Sequence, residues 1–361
     1  MCIRDRSTVV QAGAVINASS SQGDAGEVII WADGSTEFAG TLNASSDAGA
    51  GGFAEVSGKQ TLNIAGISVD LAGVTSGGEL LLDPTDITIT AGATVGVNQI
   101  SDAFIEANLN AGTNVTVSTT SPDPDVGDID IEAGVRINFT NSGIDNDNPT
   151  LTLTATNDIN ALDDIIIQNF GSGADIDQNE GGIVLNAGND INIGSADNRT
   201  GGVAIGSEFG VTVLNAGVDA ADAGTTAALD PTITAGTGNI NIIGGNTDDA
   251  AADADGAFAH VGFILDEARN SSVENGDITV RAGADITVTG GGQGNDEFSG
   301  LFNFAQIGHG GATQDLATNT RHSVFNSDIT VDAEGDLNIT CLLYTSPSPR
   351  DLSTSRMPSS A

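Results

Sequence analysis

Cysteine is nearly missing from this sequence: 361 residues hold two, Cys2 and Cys341, one close to each end. The stretch between them has none, which excludes a disulfide framework, a cysteine-ligated zinc site and thiol catalysis there. Basic residues are almost as scarce, 10 Lys and Arg against 49 Asp and Glu, for a net charge of -39. A chain this short of cations cannot build a phosphate-binding surface, so nucleic acid and an anionic membrane are excluded as partners. Aromatic residues make up 4% and rule out a globule packed around rings. No apolar run approaches the roughly 18 residues of a membrane span. No signal peptide opens the chain, which is uninformative if the chain is internal to a longer gene. What the sequence does hold is 48 glycines and 39% hydrophobic residues, mostly small or β-branched. That composition fits a turn-rich, repetitive β architecture and not a highly charged disordered chain.

The rare residue types cluster at the ends. Both cysteines, both methionines (Met1, Met357), the single Tyr344, Pro347, Pro349 and Pro358, and four of the ten basic residues lie within 1–7 or 341–361. These ends resemble translated sequencing-adapter sequence and are expected to stand outside the fold. Without them, the interior from about 8 to 340 has 6 basic and 47 acidic residues, a net charge of -41.

Within the interior, short runs alternate apolar and polar residues: Asp86–Thr90, Asn114–Ser118, Asp128–Glu132, Leu151–Thr154, Ile183–Leu185, Asn239–Ile243, Asp277–Val280, Asp285–Val288 and Asp328–Val331. Period two puts one face inward and the other toward water, the pattern of half-buried strands. The best helical candidate, 248–270, is broken by Gly256 and Gly262. Ala-Gly or an equivalent punctuates the strands at Ala91, Ala111, Ala133, Ala155, Ala187, Ala216 and Ala235, at intervals of roughly 20 to 30 residues. A longer echo repeats Phe258-Ala259-His260-Val261-Gly262 as Phe304-Ala305-Gln306-Ile307-Gly308 further along the chain.

Strands this short gain little alone. Stacked about 4.8 Å apart on similar neighbours, they pair every backbone group and share one core. The expected fold is therefore all-β, a parallel β-helix with loop excursions near 245–275 and 290–326. A period near 22 gives about 15 coils at most, or roughly 70 Å of solenoid.

Three ordered blocks make the first part of the chain recognisable: Gly26–Gly40 (GEVIIWADGSTEFAG), Gly51–Lys59 (GGFAEVSGK) and Gly77–Asp86 (GGELLLDPTD). They resemble the filamentous haemagglutinin-like exoproteins, and the AQIGHGG run at 305–311 is similar to that family's downstream repeats. On this resemblance residues 8–90 are exoprotein-type coils and 91–340 degenerate repeats of the same kind. The resemblance implies a right-handed parallel β-helix in a large secreted or cell-surface protein of a Gram-negative bacterium, exported by two-partner secretion. The implied partners are an outer-membrane transporter for the parent protein and receptors or glycans on a host or neighbouring cell, with no membrane insertion. The amino-terminal secretion domain of that family is not found here.

Four features that could carry chemistry also admit structural readings. Gly291–Ser299 (GGQGNDEFS) fits a calcium-binding nonapeptide, but a lone copy supplies half of a site shared between turns and reads as a glycine-rich corner. Gly52–Lys59 imitates a phosphate loop with five residues between its glycines instead of four, and Gln60 replaces the magnesium-binding hydroxyl. Carboxylates at Asp163, Asp164, Asp248, Asp249, Asp253 and Asp255 would suit a polysaccharide lyase or hydrolase, yet Arg136, Arg199, Arg269, Arg281 and Arg321 are scattered. His260, His309 and His322 have no metal-ligand spacing and read as corner residues, and Trp31 reads as core. No catalytic, cofactor-binding or metal-ligating residue and no cofactor is therefore expected. The chain is expected to be an adhesin-like structural stalk and not an enzyme, with a carbohydrate-active β-helix enzyme and a calcium-dependent surface-layer protein as alternatives.

Overall fold

The alternating runs form the strands they imply, and stacking decides everything else. A computed structural model describes residues 2–92, 96–119, 127–140, 149–170, 181–197, 201–217, 237–245, 257–264, 271–274, 276–291, 303–309, 321–324 and 327–340. Every strand pairing among them is parallel, and the architecture is a parallel β-helix.

Three long sheets form its walls. The first follows the order Cys2–Val10, Glu27–Phe38, Phe53–Gly58, Glu79–Pro84, Asn114–Ser118, Thr150–Ala155, Gly182–Ala187, Val211–Ala216, Ile278–Ala282, Ile329–Ala333, with Thr61–Asn63 also paired to Glu27–Phe38. The second follows Gln99–Ser101, Ile87–Thr90, Ile129–Ile131, Ile159–Ala161, Ile191–Ile193, Ile240–Ile243, Ile286–Thr289, Leu337–Thr340. The third begins later, with Arg136–Thr140, Ile165–Phe170, Val203–Ser207, Ala259–Val261 and Ala305–Ile307. The first coils carry instead the small sheet Val15–Asn17, Thr41–Asn43, Ser68–Asp70, and Ser271–Glu274 pairs with Arg321–Val324.

The core is a set of columns. In the second sheet Ile87, Ile129, Ile159, Ile191, Ile240 and Ile286 stack in register, each at most 2% exposed. In the first sheet Leu82, Val117, Leu153, Leu185, Leu214 and Val280 do the same. Each such side chain contributes about 1.5–3 kcal/mol by leaving water, so the columns supply most of the cohesion between coils.

Coils are longer than the short period expected from the punctuation. One column of the first sheet runs Val28, Ala54, Leu80, Val115, Leu151, Ile183, Thr212, Ile278, Ile329. The step from coil to coil is smallest at the amino-terminal end, longer but uneven through the middle and largest from Thr212 to Ile278. Ten strands therefore stack, spanning about 43 Å, against the 15 coils expected as a maximum. The punctuation had mixed corners of different walls. Ala155, Ala187, Ala216 and Ala282 occupy one column, so the wider intervals after Ala155 are whole coils. Gly92 and Gly134 end successive strands of the second sheet with φ of 86° and 87°, so the chain between them is one coil, and Ala111 falls between them beside another wall.

Two further expectations are corrected. Residues 2–7 belong to an edge strand paired to Ile29–Ser35 through backbone groups, with a register shift between Asp5 and Ser7. An open sheet edge accepts any extended segment, whatever its composition. The tail from 341 lies outside the described residues. The weak helical candidate 248–270 holds instead the strand Ala259–Val261, its remaining described residues being non-helical, while a helix of nine residues stands at Asp102–Asn110. No described helix is long and apolar enough to cross a membrane.

Candidate functional site

Polar side chains concentrate where the first sheet turns into the second. The residue before each second-sheet strand from Ile87–Thr90 to Leu337–Thr340, the edge strand Gln99–Ser101 apart, forms a continuous column: Asp86, Asp128, Asp158, Asp190, Asn239, Asp285, Asp336. In each step the Oδ1 atom accepts the backbone N–H of the equivalent residue one coil on: 3.2 Å from Asp86 to Asp128, 3.1 Å to Asp158, 2.9 Å to Asp190, 2.8 Å to Asn239, 3.1 Å to Asp285 and 2.8 Å to Asp336. Asn157, Asn189 and Asn239 add side-chain amide donors to the same oxygens. The recurring Asn-Asp and Gly-Asp signals of the sequence are thus the rungs of a hydrogen-bonded corner. Burial raises the pKa of Asp158 above the usual carboxylate value, with the charges of Asp190 and Asp128 adding to it while its hydrogen bonds oppose it.

A second ladder runs up the outer face of the second sheet. Asn160 donates to Asp130, Asn192 to Asn160 and Asn241 to Asn192, each at 2.9 Å. Amides stacked at the strand spacing satisfy one another, as in amide ladders of cross-β structures.

The helix Asp102–Asn110 replaces a strand at the start of the third wall. Ser101 caps it by accepting the Phe104 N–H at 3.1 Å, and Ile105 and Leu109 enter the core. Its other face covers the edge strand Arg136–Thr140. Asp102, Glu106 and Asn110 each accept one backbone N–H, from Arg136, Asn138 and Thr140, all at 3.0 Å. Four residues of helix rise about 6.0 Å and two residues of strand about 6.6 Å, so the two series stay in step. The Ser101 cap and the i, i+4, i+8 acceptors are a signal the strand-seeking reading passed over.

Among the described residues, those singled out for chemistry do not gather into one site. Arg136 pairs with Asp164 and donates to the carbonyls of Asp164 and of its neighbour Val135, clamping adjacent coils. Arg281 is stacked between Asn215 and Asp332 in the first sheet. His260 is fully buried against the edge of Phe304, with no hydrogen-bond partner for either ring nitrogen among the described residues. Burial, and secondarily the nearby His309, lower its pKa to about 3, while the Gly308 backbone, close but outside hydrogen-bonding geometry, pulls the other way. His309 accepts the Phe263 N–H at Nδ1 (3.2 Å) and holds the Gly276 carbonyl through Nε2 (2.6 Å), a staple between coils. His322 lies on Arg321–Val324. Trp31 is a correction: it occupies an outward, half-buried position between buried Ile30 and Ala32 rather than the core, because period two sends it to the solvent face. Lys59 closes a corner through its backbone, donating to Ala32. An open hollow at the amino-terminal edge is lined by Arg6, Ser7, Asp33, Gly34, Ser35 and Gln60 and brings one carboxylate to one guanidinium. Among the described residues no three His, Cys, Asp or Glu side chains are placed to hold a metal. The nonapeptide after Gly291 and the carboxylates Asp248, Asp249, Asp253 and Asp255, like Arg199 and Arg269, lie outside the described residues.

Fold and polar architecture together define a repetitive parallel β-helix scaffold. Comparison of the chain with protein-family models and with curated proteins finds no match.

Proposed function

We propose that the chain is a segment of a large secreted or cell-surface adhesin-like exoprotein, serving as a stiff stalk that displays interaction surfaces. The observation that supports this reading is the use of the polar side chains. Five aspartates and an asparagine that could have lined a cleft each use Oδ1 as the acceptor of a bond between successive coils. A scaffold needs such rungs, whereas a lyase or glycosidase needs carboxylates gathered around one bond with a cation beside them. The three blocks that resemble the exoproteins also stack as three consecutive rungs, Glu27, Phe53 and Glu79 in register, with Gly26, Gly52 and Gly78 between coils. A Cβ at Gly52 or Gly78 would lie 2.1 or 2.2 Å from the carbonyl oxygen of the glycine one coil earlier. The expected partners are cell-surface receptors or glycans, with an outer-membrane transporter for the parent protein.

The test sets two assays side by side. Beads coated with the purified chain should adhere to a subset of bacterial or host cell surfaces, while the chain releases no reducing or unsaturated ends from uronate and neutral polysaccharides. Polysaccharide cleavage would replace this reading with the carbohydrate-active one, and absence of adhesion to every surface would remove the adhesin function.

A further inference from the structure

The outward face of the first sheet changes character along the solenoid axis. In the strands Asn114–Ser118 and Thr150–Ala155 it holds Asn114, Thr116, Ser118, Thr152 and Thr154, small polar residues suited to a wall that faces water. In the three preceding strands, Glu27–Phe38, Phe53–Gly58 and Glu79–Pro84, the same face carries Ile29, Trp31, Phe53 and Leu81, all half-buried. Among them stand Glu27, Glu55, Glu79 and Asp83. Register interleaves the two kinds: Phe53 lies between Glu27 and Glu79, and Glu55 between Ile29 and Leu81. The three glutamates are thus never neighbours, either along a strand or from coil to coil. Ser57 donates its hydroxyl to Oε1 of Glu55 at 2.9 Å and holds that carboxylate in place.

We propose that this three-coil patch is a binding surface for a basic peptide segment of another protein, one whose cations alternate with apolar side chains along a single face. Charge sets the sign of the partner. None of the three strands carries a Lys or Arg. The basic residues nearby are Lys59, at the corner after Gly58, and Arg4 and Arg6 on the neighbouring strand, with Arg4 in register with Trp31. The whole chain, at a net charge of -39, adds a field of the same sign and repels its own copies. The apolar residues narrow the choice further. Carboxylates alone attract any cation, whereas Trp31, Phe53 and their aliphatic neighbours gain from being covered by apolar groups and from a cation laid on the indole. Outward positions repeat about 6.6 Å apart along a strand, the spacing of alternate residues in an extended peptide. A segment lying along the strands therefore meets the patch with every second residue, as repeats of Lys-Ser-Leu-Ser do. The proposal rests on the display-scaffold reading only for the source of the partner, a protein on another cell's surface.

Trp31 is the single tryptophan of the chain, so its emission reports on this patch. Titrating the full chain with a synthetic peptide of Lys-Ser-Leu-Ser repeats should shift that emission to the blue and saturate, with weaker binding as sodium chloride rises. Replacing every leucine of the peptide by serine keeps its charge and should weaken binding at least tenfold. The same loss is expected for Phe53→Thr combined with Leu81→Thr, which copies the later coils, and separately for Glu27→Gln combined with Glu79→Gln. Asp130→Asn combined with Glu132→Gln removes equal charge from exposed positions on and beside the second sheet and should change binding less than twofold. Equal binding of the two peptides, an unchanged Trp31 emission, or a shift caused by neutral oligosaccharides and not by the peptide overturns the proposal. The peptide comparison needs no variant to fold. It also fails separately from the bead assay: adhesion without a Trp31 response removes this site and leaves the adhesin reading, and a Trp31 response without adhesion does the reverse.

Discussion

Two buried or half-buried groups respond to pH in opposite directions. Asp158 has its pKa raised by burial and by the carboxylates of Asp190 and Asp128. The fold favours its neutral form, so its contribution to stability is present below the unfolded value near 3.8 and is lost as pH rises through the higher folded value. Asp158→Asn keeps the Oδ1 acceptor and reproduces what Asn239 already does in the same column. The variant should melt higher than the parent at pH 7 and equally at pH 3.5, measured by circular dichroism. His260 has its pKa lowered to about 3, so the stability it contributes is present above its unfolded value of 6.5 and is lost as pH falls toward 3. Each pH unit in that window costs up to about 1.4 kcal/mol. His260→Gln copies Gln306, its partner one coil later, and should flatten the difference between pH 6.5 and 4.5 in urea titrations.

At the scale of elements, the helix at Asp102–Asn110 and the strand Ile286–Thr289 allow separate tests. Asp102 accepts the N–H groups of Gly92 and Arg136 as well as that of Ala103, so Asp102→Ala leaves donors without partners. A cost of about 2 kcal/mol is expected, with faster amide exchange at Arg136 and Asn138, because the loss of a buried acceptor exceeds the net worth of the bond. In the strand, Ile286 is buried and Thr287 half-buried on the outer face. Ile286→Asp should cost several kcal/mol, while Thr287→Asp should cost less than about 1 kcal/mol. Limited proteolysis ranks the two, and the damage from Ile286→Asp should appear first at the stacked strands 240–243 and 337–340.

The whole molecule carries a net charge of -39 with few cations to offset it. Aspartates stacked one coil apart concentrate that repulsion along the solenoid axis. Sodium chloride should therefore raise the melting temperature steadily from 10 mM to 0.5 M by screening. A flat or falling curve would show that the corner bonds outweigh the repulsion.

Much of this was written locally in the chain. Period two marks a strand and its inward side, which is why Ile278, Val280, Ile286 and Val288 were legible as core before any coil was assembled. Strands buried on both faces, such as Val203–Ser207, carry no alternation to read. The Asp in front of each second-sheet strand was visible as punctuation, but not as a column, because its partner lies 30 to 51 residues away at distances that vary with the excursions. Coil length, the late start of the third wall at Arg136 and the helix that shields its edge were decided only by closure of the solenoid. Local sequence sets which side of a strand is apolar; which strand it meets depends on how much chain each turn must accommodate before the core can join.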